Sequence, residues 1–253
     1  MSPRFPQEIF DHIVDQYPRE IYLKNYSLVC KAWSDRCRPY LFESIQLSRS
    51  NWERWTKIIP PTLDGPSKYV LQIHIFAGVV PIVPDIRPLD SYIDHFSAFT
   101  QVIDLILVDH RGMPIHFDML FQCLSALKDT LGSLTLWQNS YTFNEMSRIV
   151  EFFPNLQQLT IRAPIRPKEK SFSFPPPQKA SFPKLKDLFF FATSGFPDMC
   201  DHLISGLGQA SMNLETITLT GKPYKAAAVQ PLLDSSADSL SFVCMPPLGR
   251  SCL

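Results

Sequence analysis

Apolar residues recur along most of the chain in a short triplet. Two residues separate its first and second members, and one residue separates its second and third. Apolar residues at alternate positions are typical of a β-strand with one buried face. The middle members lie 23 to 32 residues apart, most often 29. A strand is therefore predicted at each of the following triplets: Phe42, Ile45 and Leu47; Val70, Ile73 and Ile75; Val102, Leu105 and Leu107; Leu131, Leu134 and Leu136; Leu156, Leu159 and Ile161; Leu185, Leu188 and Phe190; Leu214, Ile217 and Leu219; and a degenerate copy, Ala237, Leu240 and Phe242.

Several of the segments between triplets have a helical pattern instead. Their apolar residues recur three or four positions apart, which predicts amphipathic helices. Thr142 and Glu145 have the spacing of a capping box at the start of one of them. A strand and a helix that alternate every 29 or so residues resemble the leucine-rich repeat. The helical positions are Phe117, Leu120, Phe121, Leu124 and Leu127; Phe143, Met146, Ile149, Val150 and Phe153; and Met199, His202, Leu203 and Leu207.

This resemblance implies an α/β fold with a parallel sheet, arranged as an irregular solenoid over residues 46–253. One copy, from Leu131 to Tyr141, follows the full repeat consensus with its asparagine, Asn139. An ordinary α/β domain with a parallel sheet is an alternative interpretation of the same alternation. Since no glycine-rich phosphate loop follows any predicted strand, that alternative does not predict a nucleotide-binding site. The basic, Pro-rich segment 163–184 interrupts the alternation of strands and helices, and its composition predicts an extended loop between two repeats.

The residues between triplet members define a candidate binding surface. In a strand-helix solenoid these residues point to the concave face, away from the core. Trp137, Arg162, Phe189 and Phe191 occupy such positions. Aromatic residues and arginine are enriched in binding hot spots. We therefore expect these four residues to bind a target protein, the alternative being that another segment of the chain covers them.

In the first 45 residues the apolar positions have a different spacing, which predicts three short helices. A proline, Pro6, suits the start of the first helix, and the third is expected to fade near Pro39. Three helices in about 35 residues bury little apolar area by themselves. This unit should therefore pack against a partner chain, against the following domain or against both. The predicted apolar positions are Ile9, Phe10, Ile13 and Val14 in the first helix and Ile21, Leu23, Leu28 and Val29 in the second.

These helices carry a recognisable motif. Its parts are Phe5-Pro6-Gln7-Glu8-Ile9, Ile13, Leu23, Ser27-Leu28-Val29-Cys30-Lys31-Ala32-Trp33 and Leu41-Phe42-Glu43-Ser44-Ile45. The segment 3–45 resembles the F-box, and departs from it at Phe5, where leucine is usual, and in the second helix between Tyr17 and Tyr22. The resemblance implies an F-box module over residues 1–45 that docks on a Skp-type adaptor and, through it, on a cullin RING ubiquitin ligase. It assigns the adaptor surface to Phe5, Pro6, Glu8, Ile9, Ile13, Leu28, Val29, Cys30 and Trp33.

Composition narrows the classes of partner. The chain has 253 residues with 24 basic and 24 acidic side chains, so no overall attraction to nucleic acid or anionic membrane is expected. No apolar stretch is long enough to span a bilayer, and residues 1–16 lack the basic and apolar regions of a secretory signal. The six widely spaced cysteines include no Cys-x-x-Cys pair and are interpreted as reduced, mostly buried thiols. A cytoplasmic or nuclear protein is predicted.

Candidate chemistry is sparse. The nearest approach to a metal site, His110 with His116 and Asp118, is interpreted as a set of exposed polar residues, so neither a metal nor another cofactor is predicted. The sequence lacks a Gly-x-Ser-x-Gly elbow, convincingly spaced carboxylate pairs and a Cys/His constellation, so no enzyme is expected. The combined prediction is a substrate-recognition subunit of an SCF-type ubiquitin ligase. An F-box scaffold protein without a ligase role and an enzyme in the repeat region are the competing hypotheses.

Overall fold

The computed structural model describes residues 6–17, 19–58, 65–76, 90–108, 117–137, 143–162, 180–192, 197–221 and 224–245. In these residues the chain alternates helices with short strands. The helices are α1 Gln7–Gln16, α2 Glu20–Tyr26, α3 Lys31–Phe42, α4 Arg49–Ile58, α5 Asp90–Ser97, α6 Phe117–Cys123, α7 Phe143–Phe152, α8 Pro197–Gly208 and α9 Ala226–Ser235, with 3₁₀ turns at Pro66–Tyr69 and Ser125–Leu127. The strands are β1 Ser44–Leu47, β2 Gln72–Phe76, β3 Asp104–Val108, β4 Ser133–Trp137, β5 Gln158–Arg162, β6 Ser181–Phe182, β7 Asp187–Phe191, β8 Ser211–Met212, β9 Thr216–Thr220 and β10 Phe242–Cys244.

Within the described residues, eight strands form one parallel sheet. Their spatial order follows the chain, β1-β2-β3-β4-β5-β7-β9-β10, while β6 pairs with β8 in a separate small sheet. The middle members of successive triplets stand opposite one another, as Leu134 does between Leu105 and Leu159. The predicted α/β class with a parallel sheet is therefore confirmed.

The sheet has one packed face and one open face. The middle triplet members Ile73, Leu105 and Leu134 are fully buried against residues of the helices. The intervening side chains on the opposite face, which we call the open face, are mostly half-buried or exposed. Val108 and Thr160 are buried exceptions on that face. The alternation of apolar and polar residues thus places the core on the side of the helices.

The helices pack as the sequence predicts. The predicted segments correspond to α6 with the turn that follows it, to α7 and to α8. Met146, Ile149 and Val150 of α7 are buried in the same core as the strands. Glu145 lies in the first turn of α7, whereas Thr142, the other half of the predicted capping box, lies outside the described residues.

A repeated four-residue segment precedes two of the strands. Residues 153–156 and 182–185 both read Phe-Pro-x-Leu, and their phenylalanines, Phe153 and Phe182, are buried. The Asn155 side-chain amide donates to the Asp129 carbonyl at 2.7 Å, and Lys184 Nζ donates to Asn155 Oδ1 at 2.5 Å. The second bond connects equivalent positions of consecutive strand-helix units, and the first reaches the residue next to the equivalent position in the preceding unit.

The final triplet is in a different register from the predicted one. In the pairing of β10 with β9, Val243 stands opposite Ile217 and Phe242 opposite Thr216. The triplet is therefore Leu240, Val243 and Met245, three residues after the predicted copy. Phe242 lies on the open face and is exposed, so its predicted place in the core is wrong.

The predicted loop 163–184 is also shorter than expected. Its last part forms β6, and both Ala180 and Phe182 are buried in the main core. The prediction of an extended loop is wrong from residue 180 onward. Burial of these apolar side chains, together with pairing of β6 with β8, fixes the segment against α7 and β8. Residues 163–179 lie outside the described residues.

The N-terminal helices have a small core of their own. Phe10, Val14, Leu23 and Cys37 are buried together, apart from the main core. We call residues 6–43 the helical unit. Its last helix, α3, packs on α1, α2 and the first 3₁₀ turn, and it continues past Pro39 instead of fading there. β1 begins directly after the unit, so the domain division predicted after residue 45 falls inside that strand.

Candidate interaction surfaces

The helical unit exposes several large aliphatic side chains. The exposed fraction is 46% for Ile9, 67% for Ile21, 84% for Leu28 and 61% for Val29. Among its described residues, the same unit buries four side chains in its own core. Exposure of several large apolar residues within one small unit favours a protein interface.

The position of Ile9 follows from the geometry of α1. Adjacent helical residues point about 100° apart. Burial of Phe10 and Val14 therefore turns Ile9 toward the flank of the helix, and Ile13, one turn later, lies half-buried on the same flank. Pro6 and Glu8, which begin this part of the motif, are exposed.

Leu28, Val29 and Cys30 are exposed because α2 ends before them. The helix stops at Tyr26, and the Val29 N–H donates to the Tyr26 carbonyl at 3.0 Å in the turn that follows. Of the four apolar positions predicted for the second helix, Leu23 is buried, whereas Ile21, Leu28 and Val29 are exposed. The prediction of one continuous apolar face for this helix is therefore wrong.

Trp33 supports this surface from within the unit. Its ring stacks on Phe10 with centroids 3.9 Å apart, and Tyr26 contacts it edge-on at 5.6 Å. Trp33 is half-buried. It therefore positions α3 against α1 and α2, and Phe5, the remaining residue predicted to bind an adaptor, lies outside the described residues.

A charged network also joins α1 to α3. Arg36 lies 3.3 Å from the Asp11 carboxylate and 2.6 Å from that of Asp15. Tyr40 donates to the same Asp15 carboxylate at 2.5 Å, and this hydrogen bond raises the pKa of the Tyr40 hydroxyl. Because these groups are partly exposed, each pair contributes little, and the network serves mainly to set the orientation of the two helices.

The adaptor surface predicted from the sequence does not include Ile21 and Tyr22. Both are exposed apolar side chains on α2, and neither is among the adaptor-binding residues that the F-box resemblance implies. Ile21 lies two positions before buried Leu23, about 200° around the helix. That spacing places Ile21 on the outer side, which the sequence pattern could have indicated.

The open face of the sheet is organised in three rows that run across the strands. Each row contains the residues that the strand register aligns. The first row is Ser44, Gln72, Asp104, Ser133, Gln158, Asp187, Thr216 and Phe242; the middle row is Gln46, His74, Ile106, Thr135, Thr160, Phe189, Thr218 and Cys244; the last row is Phe76, Val108, Trp137, Arg162, Phe191 and Thr220.

The first row begins as a chain of hydrogen bonds. Ser44 Oγ donates to Gln72 Oε1 at 2.9 Å, and the Gln72 amide donates to the Asp104 carboxylate. His74 Nε2, in the next row, lies 2.9 Å from the same Gln72 oxygen. Burial lowers the pKa of His74, and the nearby Asp104 carboxylate partly opposes that effect. This end of the face is therefore polar and its groups are hydrogen-bonded to one another, although Asp104 Oδ1 is buried without a hydrogen-bond partner among the described residues.

The last row brings three of the four predicted target-binding residues together. The Arg162 guanidinium carbon lies 4.7 Å from the centroid of the Trp137 ring and 5.3 Å from that of Phe191. Trp137 is 37% exposed, and Arg162 is exposed as well. Phe189 is in the middle row between Thr160 and Thr218, half-buried and one row behind the other three.

Other chemistry is limited in the residues that the structure describes. No group of three or more His, Cys, Asp or Glu side chains among them is arranged to hold a metal ion. His110 and His116 lie outside this part of the chain. Burial raises the pKa of Cys123 and of Cys200 to about 11, which makes both thiols poor nucleophiles at neutral pH. Across the same described ranges, none of the helices combines the length and the hydropathy needed to cross a bilayer.

Comparison with family models and with curated proteins gives no match. Among solved structures, the chain is similar to a protein of Bacteroides fragilis determined by the Northeast Structural Genomics Consortium, with 15% sequence identity and a TM-score of 0.38. The similarity covers 80% of this chain and 52% of the Bacteroides protein, so the chain spans about half the length of that protein.

Proposed function

We propose that this protein is a substrate-recognition subunit of an SCF-type ubiquitin ligase. In this proposal the helical unit is an F-box that binds a Skp-type adaptor, and the adaptor connects it to a cullin. The remaining residues form an irregular leucine-rich-repeat solenoid whose open face binds a target protein. The observation that carries the proposal is the exposure of Ile9, Leu28 and Val29 at positions of the F-box motif.

Packing within the helical unit supports this assignment. If the apolar motif residues served only to stabilise the unit, they would be buried in its core. Leu23 of the motif does lie in that core, with Phe10, Val14 and Cys37, but Ile9, Leu28 and Val29 are exposed and remain available to a partner. A few side chains near the centre of an interface typically dominate its affinity.

The order of the strands supports the solenoid. Each strand of the large sheet within the described residues is parallel to the previous one and follows it in chain order. Each unit therefore contacts mainly its neighbours, as in repeat proteins, and the side chains of the open face form continuous rows. Such a surface suits an extended protein target.

In this role the chain contributes proximity. Holding a target close to the ubiquitin-transfer machinery raises the effective concentration of the reacting groups, while the covalent chemistry belongs to other subunits. The alternative of an F-box scaffold uses the same adaptor surface. Transfer of ubiquitin to a bound target in a reconstituted ligase separates the two roles, since a scaffold would bind the adaptor without promoting transfer.

The adaptor surface is tested by a pull-down of the full chain with a purified Skp-type adaptor. We expect Ile9→Asp and Leu28→Asp each to weaken binding by about 30-fold or more, which corresponds to about 2 kcal/mol. Both side chains are exposed, so the variants should remain folded. Trp33→Ala is less suitable, because loss of its contact with Phe10 would disturb the unit itself.

A matched control is Ile103→Asp. Ile103 is 53% exposed and lies between α5 and β3, outside the helical unit, so its replacement should leave adaptor binding unchanged. Circular dichroism verifies that all variants are folded. A folded wild-type chain that fails to bind the adaptor, or equal losses in all three variants, would contradict the proposal.

A further inference from the structure

The cluster formed by Trp137, Arg162 and Phe191 has a positive charge without an acidic partner among the described residues. These residues end three neighbouring strands, β4, β5 and β7, and the strand register aligns them side by side. The guanidinium of Arg162 is flanked by the two rings. We call these three residues the arginine cluster.

Aromatic contacts hold the guanidinium without satisfying its hydrogen-bonding capacity. An arginine stacked on aromatic rings keeps its five N–H donors in the plane of the group, free to point past the ring faces. Among the described residues, Arg162 has no carboxylate within ion-pair distance, and its contacts there are with the two rings. The rings thus orient a fork of donors on an exposed part of the sheet.

The acidic residues of the open face lie at its other end. Asp104 and Asp187 belong to the first row, whereas Arg162 belongs to the last. Asp187 stands opposite Gln158 in the strand register. Gln158 is four residues before Arg162 on the same strand, so Asp187 lies about 13 Å along the strand direction from Arg162. At that distance a solvent-exposed charge is largely screened at physiological ionic strength. The arginine cluster is therefore a local positive site on a protein with no net charge.

We propose that the arginine cluster binds a glutamate or aspartate side chain of the target protein, within a peptide segment whose neighbouring apolar residues contact the two rings. This assignment rests on the proposed function and names the chemistry that the open face recognises. A carboxylate pairs with a guanidinium through two parallel hydrogen bonds, and flanking rings exclude water from that pair. Trp137 and Phe191 would supply the apolar contact area that a charged pair lacks.

Within the described part of the open face, one arginine in the cluster favours a carboxylate over a phosphate. Phosphate groups carry close to two negative charges and are usually recognised by several basic side chains. Within the described part of the last row, the other residues are Phe76, Val108 and Thr220 together with the two rings, so one positive charge faces the ligand. One guanidinium matches the charge of one carboxylate.

The test uses the full chain, both free and bound to a purified Skp-type adaptor. The probes are immobilised pools of nine-residue peptides with a fixed central residue, which is glutamate, glutamine or phosphoserine, and with varied apolar residues on both sides. We expect the wild-type chain to bind the glutamate pool about tenfold more strongly than the glutamine pool, as a charge-assisted bidentate pair would. Arg162→Gln should bring that ratio close to one.

Three further variants make the result specific. Arg162→Lys keeps the charge but loses the planar fork, and should retain only part of the preference. Arg148→Gln is the matched control, because Arg148 also lies over a phenylalanine ring, that of Phe121 at 5.9 Å, but on α7. It should leave the glutamate preference unchanged. Trp137→Ala should weaken binding of the glutamate pool without reversing the preference.

Each outcome decides the assignment. Equal binding of the glutamate and glutamine pools, or a preference that survives in Arg162→Gln, would overturn it. Stronger binding of the phosphoserine pool that depends on Arg162 would overturn the choice of a carboxylate. If the chain fails to bind the adaptor yet the free chain shows the Arg162-dependent preference, the proposed ligase role fails and the peptide site stands. If the chain binds the adaptor but shows no preference among the pools, the peptide site fails and the ligase role stands.

Discussion

At the scale of single residues, Gly221 shows how closely neighbouring units pack. Its backbone φ is 107°, in the left-handed region that favours glycine. It follows the last residue of β9, and a Cβ built there would lie 2.0 Å from the Ala192 carbonyl oxygen. The Ala192 N–H donates to the Thr220 carbonyl at 2.9 Å, so the two segments already meet at hydrogen-bonding distance. Glycine is required there on both conformational and steric grounds.

Gly221→Ala is therefore expected to lower the free energy of unfolding by about 2 kcal/mol or more, from backbone strain and from the clash. Urea denaturation of the purified chain measures the change. Gly132→Ala is the control, since the nearest atom to a Cβ at that position is the Ile103 carbonyl oxygen at 3.9 Å. Its midpoint should stay near that of the wild type, and an equal loss in both variants would refute the argument.

At the scale of elements, the strands illustrate how strictly the alternation separates their two faces. In β4, Leu134 and Leu136 are buried, whereas Ser133 and Thr135, which alternate with them, are half-buried on the open face. Adjacent residues on one strand thus have opposite environments. The core requires the first set, and the open face leaves the second set available for contacts with other molecules.

Leu134→Ala should destabilise the protein by about 2 to 5 kcal/mol, because a fully buried leucine leaves a cavity when it is truncated. Thr135→Ala, one residue later, should cost less than about 1 kcal/mol. Thermal or urea denaturation of the two variants makes the comparison. Similar losses at both positions would show that the open face is covered as well.

The same alternation explains how much of the fold could be predicted from the sequence. The triplets from Ile45 to Ile217 predict seven strands correctly, because they recur at a near-regular interval and most of them alternate with polar residues. The last triplet was placed three residues early, since Leu240, Phe242 and Val243 offer several apolar registers and the packing at the edge of the sheet selects one of them. The strands β6 and β8 contain two residues each, which is too short to show a period.

The candidate surfaces were predictable to different degrees. Trp137, Arg162 and Phe191 follow the last member of three successive triplets, so the register alone brings them together. Phe189 is two residues earlier on its strand and falls into the next row. In the helical unit, the motif indicated the residue types, but the exposure of Leu28 and Val29 depends on the end of α2 at Tyr26, which the apolar pattern did not reveal.

At the scale of the whole molecule, the described residues contain two separate cores of unequal size. Four buried side chains stabilise the helical unit, whereas the main core extends from Ile45 to Leu232. Segments with few buried contacts open more readily than those in a large core. The unit proposed to bind the adaptor is therefore the less stable part of the protein.

Hydrogen exchange of the full chain should reveal this difference. We expect amides of α1 and α2 to exchange at least about tenfold faster than those of β4 and β5. Addition of a Skp-type adaptor should slow exchange in α1 and α2 and leave β4 and β5 unchanged, because binding stabilises the folded state of the unit it contacts. Uniform slowing across both cores, or no slowing at all, would argue against an adaptor site on these helices.

The separation of the two faces has a practical consequence for protein engineering. Positions such as Thr135, Trp137, Arg162 and Phe191 project from the sheet on the side away from the core. A library of variants at these positions could therefore be selected for binding to new proteins while the buried residues stay constant. The backbone would present the varied side chains at the spacing of adjacent strands, about 4.8 Å, so each new surface would have a known geometry before its structure is determined.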